Sequence, residues 1–445
     1  MTQREPSFPA HAHRIDPESI DPDAEKVVRR LERHGFDAYL VGGCVRDLLV
    51  GQAPKDFDVA TSARPRQIKR LFRNSRIIGR RFRLVHVRFG PRTIEVSTFR
   101  APPAQDGDDL LVSRDNVFGT REQDAFRRDF TINGLFYDIP RRKVIDHVDG
   151  LRDLEARRIR TIGDPELRVR EDPVRVLRAA RFAGRLGFTL DAALHEAVRN
   201  HAADLTRSAP PRVLEEIYRL LASQGAAHAF RILDEVGAVP VLLPEIAPLP
   251  PFFFAALERM ERLGGDGSDR VPRSLMLAVL LAPLVRAALL DEQAHDYEAK
   301  VSELIRPLGL RLTVARRDLA MARQCLAAQP RFLREPHGRG ARRLSRREFF
   351  AEALALRRLI GPLIAVDPDP LPTWEALAAE DGHDRGPRKR RKRRGRRGGR
   401  RKRALRAKAA AGKDGACPSP SASSSAPAPP TRSSGSPPGS SSDAS

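Results

Sequence analysis

Apolar residues follow two rhythms along this chain, and the change between them comes near residue 150. Upstream, short runs rich in β-branched and aromatic residues alternate with brief helical patterns. Residues 38–41, 57–60, 84–89 and 93–98 read as strands, since extended chain shows alternate side chains to opposite faces. Gly90-Pro91-Arg92 supplies a hairpin turn between the last two, and a further strand pair falls within 134–147 around Pro140-Arg141-Arg142. Residues 23–34 read as a helix, with Val27, Val28 and Leu31 as its apolar face and Gly35 as its stop; residues 65–72 read as another. Helices beside a small, largely antiparallel sheet define an α+β unit.

Downstream, apolar residues recur at spacings of three and four almost to the end. Helices are predicted over 169–186, 211–223, 226–236, 252–263, 273–290, 296–307, 313–327 and 349–359, with one more around Trp374. No fixed-period repeat marks a solenoid. Residues 101–112, rich in Pro, Gly and Asp, read as a surface loop. The expected organisation is a flexible lead-in (1–22), an α+β head (23–150), a helical neck for nucleotide and RNA (151–236), a helical body for RNA (237–381) and a tail (382–445).

Charge changes this picture at one end. The chain carries 80 Lys and Arg against 57 Asp and Glu, a formal +23, and residues 385–413 hold seventeen basic residues and no acid. From Pro418 onward Ser, Pro, Ala and Gly dominate. Neither stretch can bury a core, so the tail is expected to be disordered. Such a balance calls for a polyanionic partner, and RNA or DNA is the commonest. With almost no aromatics, the tail is expected to neutralise phosphates nonspecifically rather than read bases. Cys44, Cys325 and Cys417 lie far apart, which supports neither a disulfide framework nor a zinc site. With no apolar leader and no run of about 18 apolar residues, a cytoplasmic protein without a membrane span is expected.

The chemistry-bearing residues sit in four clusters. Asp56 and Asp58, in Lys55-Asp56-Phe57-Asp58-Val59, are two apart, so on a strand both face one way while Phe57 and Val59 face the core. Paired carboxylates repel unless a cation lies between them, and hard oxygen ligands suit Mg²⁺, with Mn²⁺ as a substitute. Just upstream, Gly42-Gly43 lets backbone N–H groups approach a phosphate. A phosphate cradle followed by a metal-binding strand suggests nucleotidyl transfer. In Arg127-Arg128-Asp129-Phe130-Thr131-Ile132-Asn133, Asp129 reads as a third carboxylate for metal or ribose and Arg128 as a triphosphate ligand; the plainer reading is a surface ion pair. After Asp172, taken as an N-cap before Pro173, Arg175, Arg178 and Arg181 recur every three residues on one helix face. Guanidinium forks there suit phosphates or a base edge, against the plainer reading of a solvated basic stripe. His86, in the Arg-rich run 79–86, is read as a structural strand residue and Cys44 as a packing residue.

Taken in order, Gly-Gly-Cys-Val-Arg-Asp, Lys-Asp-Phe-Asp-Val, Arg-Arg-Asp-Phe-Thr-Ile-Asn and Glu-Asp-Pro-Val-Arg-x-x-Arg-Ala-x-Arg-Phe resemble the motifs of class II nucleotidyltransferases. That group holds the tRNA CCA-adding enzymes and the bacterial poly(A) polymerases. The segments 79–86 and 115–119 and the basic tail are similar to the poly(A) polymerase branch. The resemblance is strong over 38–190, looser to about 375 and compositional beyond. It implies a polymerase β-like head followed by helical neck and body. By the same resemblance Asp56 and Asp58 would hold Mg²⁺, with Asp129 a further active-site carboxylate. Gly42, Gly43, Arg46 and Arg128 would hold the triphosphate, Asp172 and Arg175 would face the base, and Arg178 and Arg181 would lie on the phosphate side. Gly134 departs from the pattern, where a small residue with a side chain is usual after the Asn, and the 101–112 loop is short for the branch.

The function implied is template-independent addition of AMP from ATP to RNA 3′ ends, marking RNAs for decay, with RNA-decay machinery as a further partner. CCA addition from CTP and ATP is the alternative enzyme. A non-catalytic RNA-binding protein on the same fold is a third reading, disfavoured because a scaffold has no need of adjacent like charges.

Overall fold

In a computed structural model, residues 15–79, 83–101, 117–264, 271–290, 296–361 and 369–383 are described. The tail, the lead-in before Ile15 and nearly all of the 101–112 loop lie outside them. The head is built on seven strands: β1 (Ala38–Val41), β2 (Asp58–Thr61), β3 (Ser75–Ile78), β4 (Leu84–Phe89), β5 (Arg92–Thr98), β6 (Phe136–Asp138) and β7 (Lys143–Ile145). They lie in the order β3-β4-β5-β2-β1-β6-β7. Every neighbouring pair is antiparallel except β2 and β5, which run parallel with Asp58 opposite Glu95. The chain leaves β2, crosses through a short helix and the β3–β4 pair, and returns as β5 along the free side of β2.

One face of this sheet is a continuous apolar floor. Leu40, Val59, Val85, Val87 and Val96 are fully buried there together with Val27, Val28 and Leu31 of helix α1 (Pro22–Arg33). Asp21 caps α1, accepting from the N–H groups of Asp23 and Ala24, and Pro22 opens it. The other face carries a smaller cluster of Tyr39, Val41, Ala60, Phe99 and Phe136. Asp58 and Glu95 share this second face by strand alternation. Strand β3 escaped sequence reading because Arg76, Ile77 and Ile78 are all exposed on this edge, so nothing alternates.

Helices frame the head and then take over. Short ones follow the strands: α2 (Gly43–Leu49), α3 (Pro65–Leu71), α4 (Arg121–Phe126) and α5 (Gly150–Glu155). Beyond them come α6 (Pro165–Glu171), α7 (Arg175–Leu186), α8 (Ala192–Asn200), α9 (Pro210–Leu221) and α10 (Ala226–Glu235). The body adds α11 (Ala238–Leu242), α12 (Pro251–Gly264), α13 (Arg273–Leu290), α14 (Tyr297–Arg311), α15 (Arg316–Ala327), α16 (Gly338–Ser345), α17 (Phe350–Ile360) and α18 (Leu371–His383). Among the described residues no helix is long and apolar enough to cross a membrane.

One predicted helix is divided. Residues 169–186 were expected as a single run, but the chain breaks at Asp172-Pro173-Val174 between α6 and α7. Pro173 bars its predecessor from helical geometry, and Asp172 takes φ −149°. Asp172 therefore closes α6 instead of capping the next helix with its side chain. Its carbonyl accepts from Arg175 N at 2.9 Å, which starts α7 afresh and leaves the Asp172 carboxylate to Arg212.

Candidate active site

The glycine turn forms first in sequence and is the most tightly built part. Gly42 sits at φ +76°, a conformation that favours glycine, and a Cβ there would come 3.1 Å from the Arg128 guanidinium. The turn leads into α2, whose Arg46 is 2 % exposed. Arg46 donates to Asp47 Oδ1 from both Nε (2.9 Å) and a terminal nitrogen (2.7 Å), and to Asn133 Oδ1 at 2.5 Å. Its guanidinium also lies 4.9 Å from the Phe182 ring centroid. Sequence reading gave Arg46 to the triphosphate; the structure shows it underneath the turn, clamped to Asp47, Asn133 and Phe182. Cys44 donates to the Val41 carbonyl at 3.4 Å, and burial pushes its thiol up to about 12, which fits the packing role read from sequence.

The carboxylates come next. Strand β2 starts at Asp58, so Asp56 lies in the loop before it, exposed, while Asp58 is half-buried. The expectation that both sit on one strand face is thus corrected: the polar Lys55-Asp56 step is solvated and stays outside the ladder. The parallel register brings in a residue that sequence reading missed, Glu95 of β5, directly opposite Asp58. Burial, then Glu95, then Asp56 push the Asp58 carboxyl up to about 6, with Arg128 opposing them. His86 of β4 continues the row, its Nε2 3.4 Å from Glu95.

Asp129 belongs elsewhere. Its Oδ1 accepts from Phe130 N (2.8 Å) and Asn133 Nδ2 (3.1 Å), and its Oδ2 accepts from Arg178 Nε at 2.9 Å and from a second Arg178 nitrogen. Burial alone would raise this carboxyl, yet Arg178, Asn133 and the Phe130 N–H hold it well below the usual carboxylate range. With both oxygens engaged, Asp129 is not placed as the third member of the Asp56–Asp58 set. The carboxylate that the strand register sets opposite Asp58 is Glu95.

A cavity of about 350 Å³ opens beside this machinery, lined on its cationic side by Arg100, Arg127, Arg128, Arg175, Arg178 and Arg212. Ser97 of β5, Asp124, Asp129, Asp172 and Glu216 complete the lining. The break between α6 and α7 is what delivers Asp172, Arg175 and Arg178 to it. Asp172 Oδ2 accepts from Arg212 at 2.6 Å, while its Oδ1 is buried and meets no donor among the described residues. Arg175 donates to the Arg168 carbonyl and to Glu171 at 3.1 Å. Arg128 is held by Asp124 at 2.9 Å, one of its nitrogens beside Gly42, and so joins the turn to the cavity. Arg181 is set apart from the predicted row: it lies 4.3 Å from the Phe182 ring centroid and 3.3 Å from Glu216, and burial lowers it to about 10. Arg168, also missed, donates to the Arg127 and Arg128 carbonyls and ties that loop to α6. It carried no sequence signal, being one basic residue among many.

The donor set suits a hard divalent cation. Among the described residues no three His, Cys, Asp or Glu converge into a complete metal cage. Mg²⁺ needs none, since it binds through one or two carboxylates and fills its shell with phosphate oxygens and water. Half-buried Asp58, with the Glu95 carboxylate directly opposite on the neighbouring strand, is the arrangement that fits such an ion.

Residues 38–160 match the Poly A polymerase head domain, and residues 187–249 match a probable RNA and SrmB-binding site of polymerase A. Poly(A) polymerase I of Escherichia coli O6:H1 is 46 % identical over 248 residues, 54 % of this chain and 53 % of that protein. A CCA-adding enzyme of Geobacillus kaustophilus is 39 % identical over 214 residues, 47 % of this chain and 52 % of that protein. The chain spans about half the length of the curated relatives it matches. The crystal structure of Bacillus stearothermophilus CCA-adding enzyme in complex with CTP aligns at TM-score 0.62 and 26 % identity, over 82 % of this chain and 83 % of that one.

Proposed function

We propose that this chain, whose residues 38–160 match the Poly A polymerase head domain, adds AMP from ATP to RNA 3′ ends without a template, releasing pyrophosphate, as a cytoplasmic enzyme. The observation that carries the reading is Asp58 facing Glu95 beside an arginine-lined cavity bounded by Asp172. Higher identity to a poly(A) polymerase than to a CCA-adding enzyme supports AMP addition over CCA addition.

Asp56 and Asp58, with Glu95 alongside, would hold Mg²⁺. When bound, the ion supplies Lewis-acid stabilisation of charge at the reacting phosphoryl group. The Gly42-Gly43 turn and Arg128 orient the triphosphate, and the arginines of the cavity hold the charge that grows on the pyrophosphate as the α–β bond breaks. The free Oδ1 of Asp172 accepts a hydrogen bond from an exocyclic amino group, which adenine and cytosine possess and uracil lacks. Asp129 fixes Arg178 in place. The region 187–249 and the basic tail bind the RNA strand, and RNA-decay proteins are partners of that complex.

Incubating the purified protein with generic RNA or with tRNA ending in CC, and each nucleotide separately, tests the reading. Processive ATP incorporation on generic RNA is expected. CTP incorporation on the tRNA at a rate rivalling ATP would select CCA addition, for which the fold likeness to a CTP complex speaks. No incorporation on either would leave a binding protein.

A further inference from the structure

The body carries a concentration of exposed arginines that nothing above uses. On α16, Arg339, Arg342 and Arg343 stand at i, i+3 and i+4, all exposed, while Ala341, Leu344 and Ser345 are buried on the opposite side. Arg331 and Arg334 precede the helix and Arg347 follows it, all three exposed. Several other surface arginines of the neck and body are matched with acids: Arg311 with Glu245 at 2.7 Å, Arg273 with Glu215 at 2.8 Å, Arg231 with Glu258 at 2.6 Å and Arg358 with Glu375 at 2.6 Å. None of the six arginines around α16 makes an ion pair with a described acid.

The ground under them is rigid. Phe332, Phe350 and Trp374 are buried and pack ring against ring, with Phe332 and Trp374 centroids 5.1 Å apart. Trp374 Nε1 donates to the Arg334 carbonyl at 2.9 Å, which pins the segment before α16 to α18. The aromatics are thus spent inside, and the surface above them offers fixed positive charge without a stacking platform. Such a surface can follow a phosphate backbone and cannot select bases. One turn of helix rises about 5.4 Å, comparable to the step between phosphates of an extended strand, so three arginines over one turn reach two or three phosphates.

We propose that the α16 face is a sequence-independent docking surface for the sugar–phosphate backbone of the RNA strand, outside the matched RNA-binding region 187–249. The proposal rests on RNA being the substrate. It assigns Arg339, Arg342 and Arg343 to phosphates, with Arg331, Arg334 and Arg347 extending the track.

The test uses the full chain carrying R339Q, R342Q and R343Q together, with binding to a 20-nucleotide single-stranded RNA followed across a salt series. Loss of three contacts should flatten the slope of log affinity against log salt by about two units, at roughly 0.7 per phosphate on single strands. Oligo(A) and mixed-sequence RNA should lose affinity equally. ATP incorporation into a saturating short primer should keep its kcat, and the triple Lys variant should restore binding, since a phosphate accepts either cation. An unchanged slope with unchanged affinity overturns the proposal, as does a loss confined to one RNA sequence or to vesicles containing anionic lipid. Failure of the parent protein to bind any RNA would overturn the function proposed above instead, and is read separately from the variant.

Discussion

Two buried charge networks lie side by side in the head and neck, and they are finished to different degrees. Under the glycine turn, each nitrogen of the Arg46 guanidinium has an acceptor, and Asp47 also accepts from Arg185 at 2.8 Å. Next to it, Asp172 Oδ1 and Arg128 Nε in the cavity lining are buried without a partner among the described residues, as is Nε of Arg168, which holds the Arg128 carbonyl, and Asp58 is pushed up by burial and then by Glu95 and Asp56. A buried polar group left unmatched costs free energy, so a fold keeps it only where something else supplies the match. The first network is complete when the chain folds. Under the proposed function, the second is completed by a ligand.

The sharpest way to break this contrast is Asp58→Ala. Incorporation of AMP should fall by about a thousandfold or more, because the carboxylate acts on charge in the transition state. RNA binding and the unfolding midpoint should stay near the parent values. Turnover close to normal would remove Asp58 from the site.

Arg46→Ala probes the completed network. It strips Asn133 of its donor and leaves Asp47 to Arg185 alone, so urea unfolding should show a loss of about 3 kcal/mol. Arg46→Lys should recover only part of it, since one ammonium cannot serve three directions and stack on Phe182. A stable Arg46→Ala protein with raised ATP KM would instead make Arg46 a triphosphate ligand.

Asp172→Asn is smaller and of the opposite kind. It leaves the side-chain shape unchanged and the exposed Arg212 contact weakened, so stability should barely move. Discrimination of ATP over UTP should drop by about 10- to 100-fold, the worth of a hydrogen bond to a charged group. Equal loss of all four nucleotides would sink the base-reading role.

The mildest effect is expected at Gly134. A Cβ there would come 2.6 Å from Val148 Cγ2 and 3.2 Å from Ile162 Cδ1, so this chain has filled with apolar side chains the space that a larger residue would need. Gly134→Ala should cost about 1 to 2 kcal/mol in urea unfolding, with selectivity unchanged. A neutral or stabilising result would show that the neighbours yield freely.

How legible all this was depends on where the signal lives. Strands β1 and β4 and the helix α13 were read to the residue, because alternation or an unbroken apolar run wrote them locally. Asp56, Asp58, Asp172 and Arg175 were read from motifs. Glu95 was not, since its importance comes from a parallel register with β2 that spans a whole crossover and leaves no local trace. The partners of Arg46 and Asp129 left no local trace either: Asn133 and Arg178 lie 87 and 49 residues away, and composition does not say which arginine the fold will pair. Helix α16 went unread because its apolar side is only Ala341 and Leu344 amid arginines.

Trp374 has one more consequence, because it is the only tryptophan in the chain. Selective excitation of this indole reports on one place, the buried aromatic cluster beneath the α16 face, and on nothing in the head. A red shift of its emission therefore dates the opening of that cluster, while loss of the proposed AMP transfer dates the opening of the site, and the two can be timed against one another without any added label.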